Sequence, residues 1–257
     1  MKVLLLFIAV LYCSNTFACD CAVIGLIDRF ESADFVATAE IKKVTPDTLD
    51  TDYHNIEIKI NEIFKGSKVS KLKISSVLNS SCAFYTPENS KWLIFAYKDS
   101  DNDLLFGACS GAIQLDRKVD NKKYPGLTKK IELSNQRKLN VLKYLKDSEL
   151  DIKNEFRLSY TFLNNCLENG KGFELKEGSF GLYEIKFNKK LRIRKITSIK
   201  KIPDQELNNI IVNCFRESFE LYLNNKSKII RSSSIIIGIY FYAAENEHPS
   251  FVSIFDL

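Results

Sequence analysis

The cysteines constrain the fold of this chain more than any other feature of its sequence. Seven cysteines occur in 257 residues, and one of them lies in an apolar N-terminal segment. The other six are Cys19, Cys21, Cys82, Cys109, Cys166 and Cys214. An even number of cysteines in an exported chain predicts three disulfides, but the spacing alone leaves many pairings open.

Export is predicted from residues 1–18, which we interpret as a signal peptide. Lys2 supplies the positive charge, and the apolar run 3–12 is too short to span a bilayer but suits a secretory signal. A cleavage site with small residues follows the run and ends at Ala18. Cys13 would therefore be removed with the signal peptide. No later stretch is long and apolar enough to predict a transmembrane segment.

Cleavage after residue 18 leaves two forms of the mature terminus open. In the first, Cys19 has a free α-amine and the protein is secreted, either outside the cell or into a periplasm. In the second, Cys19 is lipidated as in bacterial lipoproteins, which acylates the amine and anchors the protein to a membrane. Phe17 fits a lipoprotein signal poorly. The two forms exclude each other, because both use the same nitrogen atom.

Charge is spread along the chain with a mild basic bias. There are 37 Lys and Arg against 32 Asp and Glu, giving a net charge of +5. Nucleic-acid recognition normally needs concentrated Lys and Arg together with aromatic stacking surfaces. We see neither pattern in the sequence and therefore expect no nucleic-acid partner.

The first half, residues 19–116, has the pattern of a small β-barrel. A short helix is expected first, from the helical spacing of Leu26, Ile27 and Phe30. Five strand-like runs follow, at residues 35–44, 53–64, 69–77, 91–97 and 104–108. Five short strands with one apolar face each would close into a barrel, and the OB-fold is the most common barrel of this size.

The rest of the chain is predicted to be a connector with a helix, residues 117–150, and a smaller α+β domain, residues 151–257. Within the connector, the helix is expected at 133–150. The α+β domain has the order β–β–α–β, with an ending strand near residues 251–255. Its strands are predicted at 173–175, 183–187, 191–199, 235–242 and 251–255, with a helix that starts near Pro203 and has an apolar stripe extending to Leu223.

The expected mature terminus has its own chemistry. An unperturbed α-amine has a pKa of about 7.7–8.0, so a useful fraction is neutral at physiological pH. That amine and the carbonyl oxygen of Cys19 can form a five-membered chelate with one metal ion. A catalytic zinc keeps an open position that water normally fills. A terminus held rigidly by bonds from Cys19 and Cys21 to the barrel could displace that water.

With these features together, residues 19–116 resemble the inhibitory domain of the tissue inhibitors of metalloproteinases. The resemblance rests on Cys-x-Cys at the mature terminus, the strand-turn segment Glu62-Ile63-Phe64-Lys65-Gly66, a hydrophobic fourth strand at Trp92–Tyr97, and single cysteines after the third and fifth strands. It implies the pairings Cys19–Cys82 and Cys21–Cys109, which leave Cys166–Cys214 for the second half. It also implies that Cys19 chelates the zinc of a target metalloprotease in trans, with Asp20 pointing into the protease pocket.

The sequence departs from that family at three points. Asp20 stands where the family usually has a small hydroxyl residue, and Glu31 stands near the start of a disulfide that this chain lacks. The six-cysteine C-terminal half of the animal inhibitors is also missing. A non-enzymatic extracellular or cell-envelope protein that keeps the barrel as a binding scaffold therefore stays open as the alternative function.

Other chemistry finds little support in the sequence. His54 and His248 are the only histidines, and neither lies in a metal or nucleophile motif. Redox enzymes use C-x-x-C, so a redox role for Cys19 and Cys21 is disfavoured. We expect no enzymatic activity and no cofactor. The second half faintly resembles the C-terminal domain of the TonB energy transducers, from which we transfer no functional residue.

Overall fold

A computed structural model describes residues 19–22, 24–150, 154, 156, 158–223 and 231–254. The predicted signal peptide lies outside the described residues. The chain divides into two compact units. The barrel unit contains Asp34–Asp116 together with residues 19–22, and the α+β unit contains Ile24–Ala33 and the described residues from Arg117 to Ile254.

This division differs from the predicted one in two respects. The short helix before the barrel and the helix after it both belong to the α+β unit, not to the barrel or to a separate connector. The boundary between the two units lies after Asp116.

The barrel unit contains the five predicted strands. They are β1 (Phe35–Pro46), β2 (Tyr53–Lys65), β3 (Lys71–Ser75), β4 (Lys91–Lys98) and β5 (Leu104–Gly107). The strands pair in the order β1-β2-β3-β5-β4, and the pairing of β4 with β1 closes the barrel. Only the pairing of β3 with β5 is parallel among these five contacts. A short strand, β6 (Ile113–Gln114), adds to β4.

The burial of alternate residues in the barrel core explains why the strands could be predicted from the sequence. Alternate residues of β2, such as Ile56 and Ile58, face the interior and are buried. The β2 strand ends in a turn at Gly66, whose φ is +86°. A Cβ there would lie 2.6 Å from the carbonyl oxygen of Asp34. The turn therefore requires glycine both for its positive φ and for lack of space.

The described residues of the α+β unit form three α-helices and two sheets. Its helices are α1 (Leu26–Ser32), α2 (Leu127–Ser148) and α3 (Gln205–Ser218). Its strands are β7 (Leu158–Phe162), β8 (Phe180–Phe187), β9 (Ile193–Lys200), β10 (Phe219–Leu223), β11 (Ser233–Tyr242) and β12 (Phe251–Ser253). One sheet has the antiparallel order β12-β11-β8-β9, and the other pairs β7 with β10. The predicted combination of a barrel with an α+β region is confirmed.

Three details of the α+β prediction were wrong. Residues 173–175 form no strand; instead Phe173 and Leu175 pack on the core from an irregular segment. Strands β7 and β10 were not predicted. The predicted helical stripe ran on to Leu223, but α3 ends at Ser218 and the chain continues as a strand. Residues four apart lie on one face of both a helix and a strand, so Phe215, Phe219 and Leu223 did not distinguish the two.

Helix α3 begins where the sequence indicated. Asp204 precedes the helix, and its carboxylate oxygen accepts a hydrogen bond of 2.8 Å from the backbone N–H of Leu207. This contact satisfies one of the N–H groups left unpaired at a helix start. Asp204 is thus the N-cap residue of α3.

Helix α1 is tied to the start of β7 through a partly buried carboxylate. Asn154 donates a hydrogen bond of 3.0 Å to Asp28, and its side chain also bonds both backbone groups of Leu158. Burial raises the pKa of Asp28 above its ordinary value of 3.8, the Asn154 hydrogen bond opposes that rise, and the nearby Glu31 adds to it.

This shift predicts that Asp28→Asn raises the free energy of unfolding at pH 7 and leaves it unchanged at pH 3. The folded-state pKa is raised, so stability falls as pH rises from 3.8 through that higher value. Asparagine keeps an acceptor for Asn154 without a charge. Thermal unfolding at both pH values measures the effect. Glu220→Gln removes the same charge from an exposed site of the same unit, and an equal gain there would contradict the assignment.

Candidate functional site

The Cys19-Asp20-Cys21 segment, which follows the predicted signal peptide, is attached to the barrel on both sides of Asp20. Disulfides join Cys19 to Cys82 and Cys21 to Cys109, with Cα–Cα distances of 5.0 and 5.2 Å. These are the two pairings that the resemblance implies. Asp20 itself is exposed.

The third disulfide joins Cys166 to Cys214 within the α+β unit, with a Cα–Cα distance of 5.4 Å. Cys214 lies on the buried face of α3, and Cys166 begins a single turn of 3-10 helix. This bond therefore stabilises the α+β unit and leaves the terminus untouched.

Three sulfur atoms lie close together beneath the terminus. The sulfurs of Cys19, Cys21 and Cys109 are all within 4.8 Å of one another. Each is in a disulfide, so none is a thiolate and the group is not a resident metal site. No other cluster of three or more His, Cys, Asp or Glu with metal-ligand spacing occurs among the described residues. The sulfur atoms of Cys19, Cys21 and Cys109 are therefore not available as metal donors.

Cys82 lies on the loop between β3 and β4, and that loop is held by its own contacts. Ser80 accepts a hydrogen bond of 3.0 Å from the N–H of Cys82 and itself bonds Val77 through both its N–H and its hydroxyl. Two residues beyond Cys82, Phe84 makes edge-on contacts with Trp92 and Phe106 at centroid distances of 5.5 and 5.8 Å. The loop is thereby anchored in the barrel core.

A buried histidine–serine pair supports the same loop at its base. The Nδ1 atom of His54 lies 2.5 Å from the hydroxyl of Ser76, and Ser76 also bonds the carbonyl oxygen of Asp52. Ser76 is only 1% exposed and His54 9% exposed. A substrate cannot reach this hydroxyl, so the pair orders the loop and is not a nucleophile with its base.

Apolar surface surrounds the Cys82 loop. Leu78 and Tyr85, on either side of Cys82, are 47% and 52% exposed. An open groove of about 430 Å³ lies beside Cys19 at the ends of three strands, and its surface is mostly apolar. We call the terminal segment together with the exposed Cys82 loop the terminal ridge (residues 19–22 and 77–85).

The cysteines of this ridge were predicted from the sequence, but the hydrophobic residues beside Cys82 were not. Leu78, Phe84 and Tyr85 follow no periodic pattern, since they belong to a loop whose conformation depends on contacts with β4 and β5. The one sequence signal for this loop is the long connection between the third and fourth strands, in which Cys82 lies.

Three further observations bear on identity. Among the described residues, no helix has both the length and the apolar character needed to cross a membrane. A scan against protein-family models found no match to this chain. A search of curated proteins likewise found no match.

Proposed function

We propose that the mature protein is a secreted inhibitor of zinc metalloproteases whose Cys19 amine and carbonyl chelate the catalytic zinc. One observation carries the proposal: both cysteines of the terminal segment are bonded to the barrel, and only Asp20 is exposed between them. We further propose that the barrel is an OB-fold. The closed five-stranded order with one parallel pair supports that assignment.

The chelate uses the donors that the disulfides leave available. The Cys19 sulfur is bonded to Cys82, so the amine nitrogen and the carbonyl oxygen are the donors of that residue. A neutral amine is a good zinc ligand, and the protease supplies the metal with an open position. Binding replaces the water that the protease needs as its nucleophile, which stops hydrolysis.

The rigidity of the ridge raises the affinity of this pair of metal donors, which would be weak in a flexible chain. A free terminus would lose conformational entropy on binding, and much of the affinity with it. Here the ordering is already present in the unbound protein, because two disulfides and the anchored Cys82 loop fix the ridge. Leu78 and Tyr85 then offer apolar contact area on the same loop as Cys82.

Asp20 selects the kind of protease that fits. Its carboxylate would enter the pocket beside the metal, and burying an unpaired carboxylate in an apolar pocket costs several kcal/mol. We therefore propose targets whose pocket beside the zinc contains an arginine or a lysine. Asp20→Ser is expected to shift inhibition towards proteases with apolar pockets, as judged from inhibition constants across a panel of both kinds.

Adding one alanine before Cys19 is the direct test of the chelate. The extension converts the α-amine into an amide nitrogen, which is a poor metal donor. Inhibition is expected to weaken by at least about 100-fold, equivalent to about 2.7 kcal/mol. The measurement is the inhibition constant against zinc proteases for mature protein with its terminal mass verified.

An alanine added after the last residue serves as the matched control and should leave inhibition unchanged. Equal inhibition by the extended and the natural termini would contradict chelation by Cys19. A mature chain whose Cys19 is acylated, as intact mass would reveal, would instead favour the alternative of an envelope-anchored binding protein.

A further inference from the structure

The α+β unit has a concentration of positive charge that the even overall composition conceals. Residues 186–201 contain eight Lys or Arg and no Asp or Glu. They form the hairpin of β8 and β9, and the hairpin tip borders a groove of about 500 Å³. The groove is lined mainly by Asn188, Lys189, Lys190, Arg192, Arg194 and Arg231. The expectation of a merely diffuse basic bias was therefore wrong for this surface.

The backbone of the hairpin tip is held by its own hydrogen bonds. The side-chain oxygen of Asn188 accepts hydrogen bonds from the backbone N–H of Lys190 at 2.9 Å and of Arg192 at 3.1 Å. The Asn188 and Arg192 backbones are also paired, and Leu191 adopts a positive φ of 61° to close the turn. An ordered turn fixes where its side chains start, which lowers the entropy lost on binding.

The lining has the charge that suits an anion. No described residue that lines the groove is acidic. Lys189, Lys190, Arg192 and Arg194 are exposed, and Arg231 approaches from the segment before β11. An arginine can bind a sulfate or phosphate group through two parallel hydrogen bonds. Cations from two segments facing one open groove suit an extended polyanion better than a single small ion.

The types of residue in the lining favour some polyanions over others. No aromatic side chain is among the described lining residues, whereas single-stranded nucleic acids stack their bases on aromatic side chains. The described part of the lining also contains no large apolar side chain, which membrane insertion would require. Three disulfides indicate an oxidising compartment, where sulfated polysaccharides occur.

We propose that this groove binds a sulfated polysaccharide chain. The site lies wholly within the α+β unit and does not involve Cys19. It therefore goes beyond protease inhibition. Its role would be to retain the secreted protein on an anionic matrix.

Heparin serves as the probe in a test with full-length mature protein. A variant with Lys189, Lys190, Arg192 and Arg194 changed to alanine is expected to bind heparin about tenfold more weakly or worse, with a shallower dependence of affinity on salt. The matched control changes Lys122, Lys123, Lys129 and Lys130, four exposed cations of the same unit, to alanine. That control should retain affinity within about twofold, and the alanine-extended terminus should retain it fully.

Three results would overturn the proposal. The first is an equal loss in the control, which would mean that net charge and not the groove binds heparin. The second is equal or tighter binding of natural protein to duplex DNA or to anionic lipid vesicles at the same salt. The third is equal binding to unsulfated hyaluronate. If the fourfold variant fails to fold, Lys189→Ala with Lys190→Ala changes only the exposed tip and should still weaken heparin binding.

Discussion

Replacing Cys21 and Cys109 together by alanine is expected to weaken protease inhibition by at least about 100-fold. The same double variant should lower the free energy of unfolding of the barrel unit by about 2–4 kcal/mol. The bond closes a loop between residues 88 positions apart, which strongly restricts the unfolded chain. Both effects follow from one covalent contact between the terminus and the turn after β5.

The loss of inhibition has a separate physical cause from the loss of stability. With Cys21 released, the terminal segment remains attached only at Cys19, and the peptide groups on either side of Asp20 become free to rotate. The amine and the carbonyl of Cys19 then have to be ordered when the zinc is bound. Inhibition should therefore weaken even at temperatures where the barrel stays folded.

The two readouts can be separated experimentally. Trp92 is the only tryptophan of the chain and lies buried in the barrel, so its fluorescence reports unfolding of that unit. The matched control is the double alanine variant of Cys166 and Cys214, which removes the disulfide of the α+β unit. That control should leave inhibition unchanged. Undiminished inhibition by the Cys21 and Cys109 variant would contradict the preorganised terminus.

The barrel could be predicted from sequence because each strand has a regular pattern of its own. Ile56, Ile58 and Ile60 alternate along β2, and a turn at Gly66 separates β2 from β3. Such local signals need no knowledge of distant residues. The cysteines also marked where the terminus meets the barrel, although the pairing itself came from the family resemblance and not from their spacing.

The features that sequence did not predict depend on contacts between distant segments. Helix α1 precedes the barrel in the chain, yet Asp28 bonds Asn154, which follows it by 126 residues in the same α+β unit. Local sequence around α1 therefore does not show which unit the helix belongs to. The basic groove needs Arg231 beside a hairpin some forty residues earlier. The other cations form a contiguous run at residues 186–201 that is visible in the sequence, although acidic residues elsewhere conceal it in the overall composition.

Phe215→Ala is expected to lower the free energy of unfolding of the α+β unit by about 3–5 kcal/mol. Phe215 is fully buried on α3, where it contacts three aromatic rings. Its ring centroid lies 5.3 Å from those of Tyr183 and Phe219 and 5.7 Å from that of Phe162. Truncation removes a large apolar side chain and these ring contacts together, and leaves a cavity among rigid neighbours.

The partners of Phe215 explain why that cavity should not collapse. Tyr183 is held by a hydrogen bond of 3.0 Å to Asn208, and Phe219 begins the strand β10 directly after α3. Neither ring can move inward without breaking a hydrogen bond or a strand pairing. Phe251→Ala, at a ring that is 39% exposed, is the matched control and should cost much less. Hydrogen exchange of α3 and β8 amides measures both variants, and a loss below about 1 kcal/mol for Phe215→Ala would show that this cluster is not the stabilising core of the unit.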